Sequence, residues 1–257
     1  MGTLREPTRR ERQRESTFDE IVSASRALLA DGADLSLRAV AGRMGITAPA
    51  LYRYVASYQE LVDLVAFEID KAATVTFRAA ADRMPEDDPG GRLIAASTEF
   101  RCWALASPRE FGLVFANPVA DSNCLRREQL TLASSGHLYT GLMRTLWEHN
   151  HHPIPRLDEL PPAIRESVVD PMIPAEVDGI DPADHGLLWV FMQGWTQLYG
   201  VVALEVFGHL DPRVIASGEM FIDSLRHFAP RIGLAADWPR LEALVRERLA
   251  AVPAPAS

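Results

Sequence analysis

Apolar positions along the chain recur at spacings of three and four, and the alternation of a half-buried strand is scarce. In "TFDEIVSASRALLADG" the residues Phe18, Ile21, Val22, Ser25, Leu28 and Leu29 fall on one face of a helix. Ser16 or Thr17 can cap its start and Gly32 stops it. Two short helices are predicted next. One spans 37–43 behind Ser36; the other spans 48–54 behind Thr47, with Pro49 tolerated in its first turn. A long fourth helix over 57–84 ends at "PEDDPGG". Beyond it the pattern predicts helices over 91–107, 108–117, 122–150, 162–168, 182–208, 211–228 and 238–251. The expected fold class is all-α.

Length then divides the chain. Its 257 residues accommodate a small domain followed by a larger one. The expected division is an arginine-rich flexible arm over 1–15, a helix-turn-helix domain over 16–60, a larger helical domain over 61–252 and a mobile tail over 253–257. The run from Gly186 to Leu204 is apolar enough to raise the question of a membrane span. Gln193, Thr196, Gln197 and two glycines within it favour a helix buried on all sides instead. No apolar run follows the N-terminal arginines, so no signal peptide is expected. Cys102 and Cys124 show no CxxC spacing, which fits a reducing cytoplasm.

Charge changes the picture more. The formal net charge is −9, yet residues 1–60 carry nine arginines against eight acids. "LRAVAGRMGITAPALYRYV", from Leu37 to Val55, holds three arginines and no acid. An acidic body with one basic, aromatic segment suggests a localised contact with a polyanion, since phosphate repels the rest of the surface.

That segment also has the parts of a helix-turn-helix. Ala41 is small where two helices cross, Gly45 tolerates the turn, and Val40, Met44, Ile46 and Leu51 can lock the pair. Thr47, Ala48, Pro49, Tyr52 and Arg53 remain on the outer face of the second helix, the face such motifs lay in a major groove. Arg53 can read guanine or grip phosphate, and the hydroxyls of Tyr52 and Tyr54 can donate to phosphates.

The stretch "LSLRAVAGRMGITAPALYRYVASYQELVDLV" resembles the DNA-binding domain of the TetR family of bacterial repressors, and "PALYRYV" is similar to the recognition helix of the tetracycline repressor. The resemblance implies that Arg38, Ala48, Pro49 and Tyr52 touch bases or backbone, and that Arg53 and Tyr54 touch phosphate. Many members place a lysine where this chain has Tyr58. A hydroxyl there still binds phosphate but carries no charge, so affinity should be lower unless the Arg5–Arg14 arm compensates.

The resemblance further implies a homodimer through helices 182–208 and 211–228, a palindromic double-stranded DNA operator and a small-molecule inducer. The function expected is that of a ligand-responsive, sequence-specific repressor acting in the cytoplasm. Ligand in the larger domain is expected to move the fourth helix and so the recognition helices. Phe100, Trp103, Phe115, Met143, Trp147, Trp189, Met192, Gln193 and Thr196 form an aromatic and methionine-rich set suited to an apolar or aromatic inducer.

Other chemistry is weaker. His149, His151 and His152 cluster with Glu148 but lack a recognisable zinc spacing, so no metal or cofactor is expected. No nucleophile elbow, P-loop or dinucleotide fingerprint is present, which argues against an enzyme. The alternative is a helical ligand-binding protein that does not bind an operator.

Overall fold

The computed structural model describes residues 8–116, 134–170 and 180–251. Arg5, Cys124, residues 122–133 of the helix predicted over 122–150, and the tail over 253–257 lie outside them. The described residues form helices and irregular segments, without a strand. They divide into two compact units: 8–69 together with 109–116, and 70–108 together with 134–170 and 180–251.

In the first unit α1 spans Arg9–Ala30. It starts well before the predicted cap at Ser16 or Thr17. Thr8 and Glu11 form a capping box: the Glu11 amide donates to Thr8 Oγ1 at 3.3 Å and the Thr8 amide to Glu11 Oε2 at 2.6 Å. Residues 9–15, expected as a flexible arm, are thus helical. α2 spans Leu37–Arg43, with Ser36 Oγ accepting from the Ala39 amide at 3.1 Å. Two backbone bonds close its end, Ile46 N–H to Ala41 O at 3.0 Å and Gly45 N–H to Gly42 O at 3.2 Å. That closure requires a left-handed residue, and Gly45 stands there with φ of +70°.

α3 spans only Ala48–Leu51, shorter than the predicted 48–54. Residues 52–54 continue as a tightened turn, with Tyr54 N–H reaching Leu51 O at 2.9 Å. α4 spans Tyr58–Asp82, and the division between units falls inside it, after Ile69. Ser57 Oγ accepts from the Glu60 amide, and the Glu60 carboxylate from the Ala56 amide. α6, Pro108–Phe115, belongs to the first unit: Arg26 of α1 donates to both oxygens of Glu110, at 2.7 and 3.2 Å.

The second unit is built around α5, Pro89–Ala106, which is buried on nearly every side. α7 (Ser135–Asn150), α9 (Gly186–Val206) and α12 (Trp238–Ala250) pack on it, and the short α8 (Pro162–Val169) packs on α9. The helix predicted over 211–228 is two, α10 (Pro212–Ser217) and α11 (Glu219–Phe228). Gly218, with φ of +69°, breaks them, and a Cβ there would stand 2.6 Å from Leu249 Cδ1. One charged pair is sealed inside: Arg101 donates to both Glu205 oxygens, at 2.6 and 3.2 Å, and to Ile215 O at 2.7 Å. Its guanidinium also lies 5.4 Å from the centroid of the Phe221 ring.

Candidate nucleic-acid interface and effector cavity

The helix-turn-helix is locked by its small and apolar residues. Val40 and Leu51 are fully buried, Ala41 and Val55 nearly so, and Met44 and Ile46 are half-buried. What these leave outward is the predicted reading face. Arg38, Thr47, Pro49, Tyr52 and Arg53 are exposed, and Ala48 is half-buried. Thr47 stands at the N-cap of α3, yet its hydroxyl makes no capping bond and is available to a partner. Of the three arginines in the acid-free segment, Arg43 is tied to Asp31, whereas Arg38 and Arg53 form no ion pair among the described residues.

Tyr54 departs from this face. It is half-buried, its ring edge-on to Phe18 of α1 at 6.0 Å, with Arg14 stacked on the far residue at 5.4 Å. Its ring therefore supports the interface from behind. Tyr58 is 43% exposed at the first position of α4, where a helix N-terminus favours anions.

In the second unit six rings pack edge to face and stacked. Phe77 meets Phe100 at 5.6 Å and Trp103 at 5.7 Å, Phe100 meets Trp195 at 5.5 Å, and Trp195 stacks on Tyr199 at 6.2 Å. Tyr139 joins them and donates its hydroxyl to Ala96 O at 2.9 Å. Burial and, next, the charge of Asp70 push the Tyr139 phenol well up from its ordinary value. Asp70 Oδ1, Thr74 Oγ1 and Gln193 Oε1 are among the buried polar atoms that have no partner among the described residues. Asp70 Oδ2 accepts from the Ser135 amide at 3.1 Å, and burial raises the carboxyl pKa despite that bond. Such orphans call for a donor, either water or a ligand group.

A family model described as "Tetracyclin repressor-like, C-terminal domain" matches residues 93–228, more than half of the chain. The chain belongs to the tetracycline-repressor-like family. Over 108 residues it is 34% identical to the HTH-type transcriptional regulators Rv1816 of Mycobacterium tuberculosis (strain ATCC 25618 / H37Rv) and Mb1846 of Mycobacterium bovis. The match covers 41% of this chain and 46% of either relative, so it spans less than half of their length. A crystal structure of the protein SCO4313 shares the fold, with a TM-score of 0.53 and 24% identity over 90% of this chain and 98% of that one.

In this tetracycline-repressor-like chain the ligand residues expected from sequence do not assemble as a set. A cavity of about 50 Å³ lies between α5, α7, α9 and α11, and Met143 is the one expected residue that lines it. Phe100 and Trp103 belong to the ring cluster, and Trp147 is half-buried on α7 without lining that cavity. Phe115 packs against Phe111 in the first unit, the rings tilted at 41° with centroids 5.3 Å apart, and falls apart from the other eight in the division of the chain. Trp189 and Met192 pack against the Leu160, Val168 and Leu188 cluster. Thr196 is exposed and donates its hydroxyl to Met192 O at 2.8 Å. Gln193 alone on that face of α9 offers a buried unpartnered atom.

The residues missed are Tyr139, Phe191, Trp195 and Phe228, all lining the cavity. Tyr139 and Met143 stand four apart, as do Phe191 and Trp195, and that spacing was the available signal. Among the described residues no group of three or more histidines, cysteines and carboxylates is placed to hold a metal. His149 and His151 are exposed, whereas His152 is buried with neither ring nitrogen bonded.

Proposed function

We propose that this chain is a sequence-specific DNA-binding transcriptional repressor that works as a homodimer and answers to a small apolar or aromatic molecule. The observation that carries the reading is the outward face of the helix-turn-helix. Arg38, Thr47, Pro49, Tyr52 and Arg53 are solvent-facing together, with both arginines free of ion pairs among the described residues. An acidic chain that keeps such a face uncompensated presents it to a polyanion. The regulators named above agree with it.

Dimerisation is supported by α9. The stretch Pro182–Val206 is long and apolar enough to cross a membrane by length and composition, and only 33% of its apolar window is buried within the chain. Its remaining surface carries a stripe of Thr196, Gly200, Leu204 and Phe207, with Met220 exposed on α11. Space around Gly200 is open, so another backbone can approach it. A second copy of the chain fits this stripe: an isologous contact pairs α9 and α11 with themselves. Ligand response is supported by the ring cluster and the orphaned Asp70, Thr74 and Gln193 atoms, and α4 belongs to both units.

The test is a mobility shift of the purified protein on the DNA flanking its own gene, at low and high salt. A discrete, salt-sensitive band competed only by that DNA is the expected result. Failure to bind at either salt by a folded dimer supports the second reading, a ligand-binding protein without an operator. The observation favouring that reading is Tyr58, uncharged and exposed at the start of α4.

A further inference from the structure

Asp70 of α4 holds a buried carboxylate that no cation among the described residues answers. It is 9% exposed, and Thr74, one turn further along α4, is 3% exposed. Asp70 Oδ2 accepts from the Ser135 amide at 3.1 Å, while Asp70 Oδ1 and Thr74 Oγ1 have no partner among the described residues. Glu205, also sealed in this unit, shows the usual remedy: both of its oxygens receive Arg101.

Thr74 is equally unlike its counterparts. The buried hydroxyls of Ser97 and Thr98 on α5 and of Thr140 on α7 each donate to the carbonyl four residues earlier, at 2.9, 2.8 and 3.0 Å. Thr74 leaves that bond unmade. Two acceptors one turn apart are thus kept inside the protein without donors, at a cost that a bound donor removes.

Their neighbours are aromatic. Asp70, Thr74 and Phe77 stand at i, i+4 and i+7, on one face of α4. Ser135, whose amide meets Asp70, and Tyr139 stand four apart on α7. The Phe77 and Tyr139 rings have centroids 6.4 Å apart, and burial and then the charge of Asp70 act on the Tyr139 phenol. Tyr139 also lines the apolar cavity between α5, α7, α9 and α11.

We propose that Asp70 and Thr74 bind the ammonium head of a small amine whose apolar or aromatic body lies against Phe77 and Tyr139. An ammonium carries three donors and a charge, so it satisfies both orphaned acceptors and neutralises the carboxylate, with bonds stronger than those of a neutral donor. Its charge is also favoured beside aromatic faces. A neutral alcohol satisfies one oxygen and leaves the carboxylate without a counter-charge. The inference rests on the reading that this unit answers to a small molecule, and adds the chemistry that molecule carries. Asp70 is the residue at which α4 enters the second unit, so the head group is held on the helix that both units share.

Calorimetric titration of the full chain without DNA, near neutral pH, compares n-butylamine, n-octylamine and 2-phenylethylamine with the alcohol of the same tail. At least one amine is expected to bind about tenfold more tightly than its alcohol, the order that one charge-assisted bond supplies. Asp70→Asn keeps the size of the side chain and an oxygen for the Ser135 amide, and Thr74→Val keeps the shape of the group it replaces. Asp70→Asn is expected to abolish the preference for the amine, and Thr74→Val to reduce it, with circular dichroism showing that both variants fold. Amines that bind no better than their alcohols, or a preference that survives Asp70→Asn, would overturn the proposal. A mobility shift on the same preparations separates the two readings. Operator binding without an amine preference overturns this inference alone, whereas an Asp70-dependent amine preference without operator binding overturns the repressor and leaves the site standing.

Discussion

Two residues of the turn after α3 carry most of the expected recognition, and they do so differently. Tyr52 is 51% exposed and large, so Tyr52→Ala removes both a hydroxyl donor and apolar contact. The expected loss is at least tenfold in operator affinity with the oligomeric state unchanged. A monomeric or normally binding variant would show that this face has been misassigned. Arg53 acts through charge, so Arg53→Ala should lower the slope of log affinity against log salt by about 0.9 if it grips a phosphate. An unchanged slope with relaxed sequence preference would place it on a base instead. His152 makes a prediction of another kind. Burial, and then Arg231, hold its pKa below the ordinary 6.5, so the neutral form is favoured when folded. Between the two values the unfolded chain binds more protons, and stability falls as pH drops below about 6.5. The thermal midpoint should fall between about pH 7.5 and about pH 5.5, and His152→Gln should flatten that dependence. Parallel curves for parent and variant would exclude His152 as its source.

At the scale of the element, Arg101 ties α5 to α9 and α10 through one guanidinium. Arg101→Ala strands the fully buried Glu205 side chain and the Ile215 carbonyl, which should cost about 3–5 kcal/mol in denaturant unfolding. Removing both charges, as Arg101→Met with Glu205→Leu, should recover most of that loss. A double variant as unstable as the single one would mean that shape, and not the stranded charge, sets the cost. The same elements show what was legible beforehand. The helix-turn-helix was read almost residue by residue, because Ser36, Gly45 and Pro49 each have a local physical meaning. The start of α1 was missed although "TRRE" is a capping box, since its apolar period begins only at Phe18. α9 defeated the choice of face for a different reason. A helix apolar all round has no preferred side, and the expected set at 189, 192, 193 and 196 lies about one residue's rotation from the cavity-lining Phe191, Trp195 and Leu198. The break at Gly218 was visible as a glycine, but periodicity carried the predicted helix through it.

For the whole molecule the decisive question is assembly, because two half-sites bound together multiply an affinity that one recognition helix cannot supply. Leu204 stands 43% exposed in the stripe of α9, with Phe207 beside it at 44%. Leu204→Glu leaves the buried face of α9 untouched and would bring two carboxylates close to the symmetry axis of a dimer. Desolvating that pair without a partner is prohibitive, so sedimentation should show a folded monomer for the variant and a dimer for the parent. The monomer should bind a single half-site as weakly as the dimer does, and lose the tight, salt-sensitive complex with the complete operator. A dimeric Leu204→Glu protein would move the interface off this stripe. A monomer that bound the complete operator as tightly as the parent would instead refute the requirement for two recognition helices.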